Sequence, residues 1–321
     1  MYNLVNNSPR PLWQHKHTWG CSVLLEDFMP GKDFKTIEEQ IEILSSRGLS
    51  IQDIPLAKDF LMHNNYYRIS GYSLTLRDHD VFSKNATFQN IVDIYCFDHE
   101  LRHILLSYIE IIEVTIKSVY SYEFTRVHGG TGYLNSQYFT DETKYHEIMA
   151  KAEAQKAKRL QNEAFLKHFV LELKIDIPLW AYVELLTISD ISFLYSISEL
   201  QIAQSVAREL GFSNNKGVQI LSSFLHRMTI IRNLCAHGGR LFNRFFEQKP
   251  WLNKKELSLL PKDKNGEIDN SHLYSFMFIM KRLLKDSDFA QLKSDLIHLT
   301  QKYPFVRMDY YGFRQDWKTV L

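Results

Sequence analysis

Apolar positions recur at three- and four-residue spacings over most of the chain, and no stretch sustains the two-residue alternation of a half-buried strand. The sharpest stripe is Val218, Leu221, Phe224, Leu225, Met228, Ile231 and Leu234, which predicts an amphipathic helix from Lys216 to about His237 with one buried face. A longer stripe runs through Ile91, Ile94, Leu101, Ile104, Leu105, Tyr108, Ile112, Ile116 and Val119. It predicts a central helix over 87–127, with Thr87 as candidate cap and His128-Gly129-Gly130 as its end. A helix of that length needs a partner. The 216–237 helix is the expected one, the two forming the core pair of a bundle.

Local punctuation divides the rest. Thr36 with Glu39 forms a capping box that opens a helix closed by Gly48, and Pro55 opens a second through Ala57, Phe60, Leu61 and Tyr66. The pair superficially suggests a DNA-reading helix-turn-helix, but Lys58 is the only basic residue of its second helix. A charged helical region is expected over 143–174, an apolar helix from Pro178 through Trp180 and Leu186, and two more over 271–286 and 289–302. Segment 241–270 reads as a long connection. The organisation predicted is an irregular arm (1–34), a small helical unit (35–86), and an all-α domain (87–321) with a helical insertion at about 128–215.

Composition narrows this only modestly. The 321 residues are 45% hydrophobic and 23% charged, as in soluble globular proteins. A net charge of +1 gives no bulk attraction for nucleic acid, so an RNA site must be a local basic patch. Cys21, Cys96 and Cys235 are scattered, as free thiols of a reducing cytoplasm would be. No apolar run approaches the roughly 18 residues of a membrane span, and the N-terminus lacks the design of a secretory signal, so a soluble cytoplasmic protein is expected. His15, His17 and Cys21 lack a convincing fourth ligand for zinc, and neither a metal nor a cofactor is expected.

The chemistry concentrates in Arg232-Asn233-Leu234-Cys235-Ala236-His237-Gly238-Gly239. Asn233 and His237, four apart, are about 40° from each other on a helix, whereas Arg232 and His237, five apart, are about 140° apart. The paired glycines resolve this by ending the helix at or just after His237 with a left-handed cap, which lets the histidine swing toward the arginine. The negative end of a helix also attracts positive charge there, by a few tenths to about 1 kcal/mol. An arginine, an amide and a histidine in this arrangement suit metal-free RNA cleavage by attack of a ribose 2′-hydroxyl on its own 3′-phosphate. His237 would act as acid or base, Arg232 would clamp the phosphate oxygens, and Asn233 would orient the imidazole. The structural alternative is a helix-terminal salt bridge and a polar C-cap. A metal-dependent nuclease lacks the clustered acidic ligands it would require.

Arg232-Asn233-x-x-x-His237 resembles the Arg-polar-…-His signature of HEPN-domain ribonucleases. The run RNLCAHGGRLFNR (232–244) resembles abortive-infection proteins of the Abi-D/Abi-F type. KTIEEQIEILSSRGL (35–49), NNYYRISGY (64–72), FDHELRHILLSYIEIIEVTIKS (97–118), IPLWAYVELLTISDISFLY (177–195) and YGFRQDW (311–317) match in the same order. The resemblance implies an all-helical HEPN-like bundle that works as a metal-independent endoribonuclease, leaves 2′,3′-cyclic phosphate ends and acts as a dimer. It further implies an anti-phage or toxin-antitoxin role, with a structured small RNA as inhibitor or guide. Two departures stand out: Gly238 replaces the second histidine common in the family, and Lys117 stands where relatives tend to have arginine, losing bidentate geometry.

Beyond the motif, Arg240 and Asn243 are candidate substrate contacts. Tyr67 and Arg68 are placed to stack on or bond single-stranded bases, with core and rim packing as the alternative. Lys156, Lys158 and Arg159 form the densest basic cluster for an RNA backbone, or else a solvated helix face. Glu113 can pair with Lys117 along its helix, or Glu110 or Glu113 can orient Arg232 or His237 across the bundle. The competing functional reading is a non-catalytic RNA-binding or scaffolding protein assembled on, or inhibited by, a small RNA.

Overall fold

The computed structural model describes residues 33–321. The His15, His17, Cys21 set and nearly all of the 1–34 arm lie outside the described residues. Two compact units are present, divided at Phe88.

The N-terminal unit contains α1 (Ile37–Ser46), α2 (Ile54–Asn64), α3 (Tyr66–Ser73), and a hairpin of two-residue strands, β1 (Arg77–Asp78) and β2 (Val81–Phe82). The expected capping box is formed: Glu39 N–H donates to Thr36 Oγ1 at 3.2 Å, and Thr36 N–H to Glu39 Oε2 at 2.7 Å. Gly48, at φ +93°, closes the same helix. The second helix does not run through Tyr66 as expected. Asn65 takes a left-handed φ of 61° and its side chain caps a new helix, accepting from Tyr67 N–H at 2.9 Å. Its ψ of 130° lies outside the left-handed helical well, so the break is strained, and the side-chain cap offsets part of that cost. Lys58 is ion-paired with Glu38 at 2.8 Å, which occupies the one cation of the supposed recognition helix.

The second unit begins along the long helix α4 (Phe88–His128), which spans about 61 Å. It continues through α5 (Glu142–Arg159), α6 (Ala164–Leu166) with a π-helical extension over Lys167–Leu173, α7 (Leu179–Tyr182), α8 (Ile188–Ile197), α9 (Leu200–Glu209) and α10 (Gly217–Ala236). After α10 come α11 (Lys254–Ser258), α12 (Leu273–Leu283), α13 (Asp286–Lys302) and α14 (Trp317–Val320). The fold is all-α.

The apolar helix expected from Pro178 through Leu186 forms, but tightens partway, and Leu186 is already extended. Helix α7 passes into a 3-10 turn (Val183–Leu185) before α8 starts. Thr187 and Asp190 then open α8 with a second capping box, Asp190 N–H donating to Thr187 Oγ1 at 3.2 Å and Thr187 N–H to Asp190 Oδ2 at 2.9 Å.

The predicted face of α10 is buried, with Leu221, Phe224, Leu225, Met228 and Ile231 all fully enclosed. Each such side chain contributes roughly 1.5–3 kcal/mol by leaving water. The backbone of α10 runs closest to α8, α9 and α12. Tyr195 of α8 stitches three helices together, its hydroxyl lying 3.2 Å from Ala203 O and 3.4 Å from Val218 O. Every residue of α12 from Leu273 to Met280 is buried, so this helix fills the centre against α10. Helix α4 reaches α10 through long side chains, and those side chains make the site.

Candidate active site

Helix α10 ends in a Schellman motif. Gly239 N–H donates to Leu234 O at 2.7 Å and Gly238 N–H to Cys235 O at 3.4 Å, with Gly238 at φ +66°. Gly239 is also closely packed, since a Cβ there would sit 2.5 Å from Leu234 Cδ2 and 3.3 Å from the Leu234 backbone. His237 is the residue at which the helix is abandoned: its φ of −100° and ψ of 15° are no longer helical, while its N–H still donates to Asn233 O at 3.0 Å. Its imidazole is exposed and makes no hydrogen bond or ion pair among the described residues.

Arg232 is held from the side. Glu113 of α4 places Oε2 3.7 Å from Arg232 Nε, and its Oε1 lies 3.3 Å from Lys117 Nζ. Both sequence alternatives for Glu113 therefore coexist, with one carboxylate shared between the helical neighbour and the motif arginine. Glu110 is exposed and has no ion pair among the described residues. Arg232 Nη1 also approaches Asn233 Oδ1 at 3.5 Å, long for a hydrogen bond. Asn233 thus meets His237 through its backbone carbonyl, and its side chain faces the arginine. The Arg232 side chain remains about a third exposed.

The loop that leaves the helix is basic and tightly held. Arg240 Nη1 donates to Phe242 O at 3.0 Å, and Arg244 Nη1 to Arg240 O at 3.3 Å. Burial pushes the Arg244 guanidinium down, the nearby charge of Arg240 adds to this, and Asp98 opposes it. Asn243 is exposed at a left-handed φ of 47°, with its N–H bonded to Tyr310 O at 3.1 Å. Leu241 and Phe242 are buried, and Phe242 packs edge-on against Tyr310 and Tyr311.

Below this loop lies a feature the sequence reading missed. Asp98 of α4 is fully buried, and its carboxylate accepts from Leu241 N–H at 3.2 Å, Phe242 N–H at 2.8 Å and the Tyr311 hydroxyl at 3.1 Å. Arg102, one turn along and 3% exposed, donates to it at 2.5 Å. The four-residue spacing of the pair was readable; the two loop amides that complete it, more than 140 positions away, were not. The same stretch reads His99-Glu100-Leu101-Arg102-His103, an H-E-x-x-H string on a helix. The two imidazoles do meet, Nε2 to Nε2 at 3.3 Å. Glu100, however, turns to Lys302 and Tyr303, at 2.7 and 2.6 Å, and no third His, Cys, Asp or Glu joins the pair among the described residues.

The remaining predicted contacts belong to other elements. Tyr67 and Arg68 belong to α3 of the N-terminal unit, where Tyr67 is exposed. Lys156, Lys158 and Arg159 form the last turn of α5, but much of their charge is spoken for. Lys156 is ion-paired with Glu153, and Arg159 with Glu163 at 2.8 Å, leaving Lys158 exposed.

No helix among the described residues is long and apolar enough to cross a membrane. No curated protein and no solved structure matches the chain. A family model described as "Abi-like protein" matches residues 59–243, a span that includes α10, its motif and the residues of α4 that touch it.

Proposed function

The chain belongs to the Abi-like protein family, and from that premise we propose that it is an abortive-infection effector that cuts RNA at the end of α10 by HEPN-type, metal-independent chemistry. The observation that carries this reading is an exposed His237 imidazole at the same helix end as a guanidinium steadied by Glu113.

A ribose 2′-oxygen attacks the adjacent phosphorus while the bond from phosphorus to the 5′-oxygen breaks. The 2′-hydroxyl proton passes to a base, and the departing 5′-oxygen takes a proton from an acid, leaving a 2′,3′-cyclic phosphate and a 5′-hydroxyl. Arg232 neutralises the non-bridging oxygens as charge builds on them. Each chain supplies one histidine of this kind. A two-fold homodimer that juxtaposes two α10 ends supplies both proton carriers. Arg240 and Asn243, on the loop beside His237, contact the flanking RNA, and a structured small RNA is the natural inhibitor of such a surface.

The test is incubation of purified protein with labelled single-stranded and structured RNAs in EDTA, beside His237→Ala and Arg232→Ala, with the ends mapped. Cleavage by wild type alone, leaving cyclic phosphate, supports the reading. RNA binding without cleavage on any substrate would replace it with an RNA-assembled scaffold.

A further inference from the structure

We propose that Asp98, braced by Arg102, is a positioning residue of the α10 end, its carboxylate fixing the loop that carries Arg240 and thereby the stance of His237. The structural part of this stands alone, and its consequence for RNA cleavage rests on the function proposed above.

A buried ion pair is a poor way to gain stability, because desolvating two charges consumes what their attraction returns, and a well-packed apolar pair does as well or better. Asp98 and Arg102 are nonetheless enclosed together on α4. What an apolar pair cannot do is accept hydrogen bonds. Asp98 Oδ1 takes the Phe242 amide and the Tyr311 hydroxyl, the Leu241 amide straddles both carboxylate oxygens, and Arg102 holds Oδ2. Both amides belong to a buried loop outside any helix or strand, and Asp98 is the acceptor they share.

Only three residues separate His237 from Leu241, and two of them are already constrained. Gly238 is in the left-handed turn, and Gly239 lies against Leu234. Pinning Leu241 and Phe242 from below therefore leaves little slack in the path of the backbone at His237. Asp98 is fully enclosed and touches no substrate. Its effect passes through the loop.

Two neutral double variants separate this role from plain packing. Asp98→Leu/Arg102→Met keeps the interior filled but removes the acceptor. Asp98→Asn/Arg102→Met keeps a carbonyl oxygen where the loop amides need one. Hydrogen exchange of Leu241 and Phe242 is the first readout, with amides of the α10 core as internal control. Exchange should be about tenfold or more faster at the two loop amides in the Leu/Met pair and close to wild type in the Asn/Met pair. In RNA cleavage, kcat should fall about a hundredfold for the former with KM nearly unchanged, and the Asn/Met pair should recover most of it. Equal loop exchange in wild type and a folded Asp98→Leu/Arg102→Met variant overturns the proposal, as does loosened exchange with undiminished kcat. If the Leu/Met pair does not fold, Asp98→Asn/Arg102→Met still decides, because fast exchange at Leu241 with the acceptor retained contradicts the anchor. Should wild type cut no RNA, the nuclease reading fails while the exchange experiment still tests the anchor.

Discussion

Glu113 divides one carboxylate between Lys117 on its own helix and Arg232 on α10, at 3.3 and 3.7 Å. An ion pair at that separation, partly open to water, is worth no more than about 1 kcal/mol. The enclosed side chains of α10 dominate the stability of this region by comparison. The value of Glu113 is therefore directional: it sets which way the guanidinium points.

Glu113→Gln should consequently leave the melting temperature almost unchanged while lowering the rate of the proposed RNA cleavage about tenfold, since an unsteadied arginine would spend less time against the phosphate. Lys117→Met, which frees the carboxylate for Arg232 alone, should have a smaller effect. Thermal denaturation beside single-turnover cleavage checks both. A large loss of stability with an unaltered rate would make the glutamate structural.

At the helix end, Gly238→Ala should destabilise by about 1 kcal/mol or more, because alanine is strained at φ +66°. Gly238→Asn should cost less, since asparagine accepts that region. Gly239→Ala should cost more than Gly238→Asn, because its methyl group meets Leu234. Denaturant midpoints rank the three.

Burial pushes the Cys235 thiol up to about 12, with Arg102 pulling it down and Asp98 pushing it up. Native protein at pH 8 should therefore leave Cys235 unmodified by a thiol reagent, and the same reagent should label it fully in denaturant. Peptide mass spectrometry reads the outcome. Fast labelling of the native state would mean that the α10 end opens.

Burial alone would raise the carboxyl of Asp269, but hydrogen bonds from His272 and Ser271 outweigh it and hold the group below the usual carboxylate range. A carboxylate depressed in the folded state stabilises above its unfolded value, near 3.9, and that contribution is lost as pH falls further toward its folded value. Stability should therefore drop below about pH 4, and Asp269→Asn, which has no such proton to take up, should flatten that acid limb. Denaturation midpoints between pH 2 and 6 test the slope.

Much of this architecture could be read from local pattern. The stripe of α10, the Thr36–Glu39 box, Gly48 and the left-handed Gly238 all depend on residues within one or two turns of each other, which is the range over which spacing carries information. The second box, Thr187 with Asp190, was equally local, just beyond the apolar run from Pro178 through Leu186. Asp98 was hidden for a different reason. Its partners Leu241, Phe242 and Tyr311 are recruited by backbone and by a tertiary fold, and an aspartate on a helix ordinarily signals solvent. Glu113 fell between the two cases: spacing named Lys117, and only folding could add Arg232.

Asp98 and Glu113 lie fifteen residues apart on the single uninterrupted rod of α4. Inserting or deleting one residue between them would rotate one carboxylate about 100° relative to the other, so that the loop or the arginine, but not both, could be met. Over that interval the chain is a ruler with two engraved marks. Lineages descended from it are free to lengthen the connection between α10 and α12, but they must inherit the count from 98 to 113 unchanged.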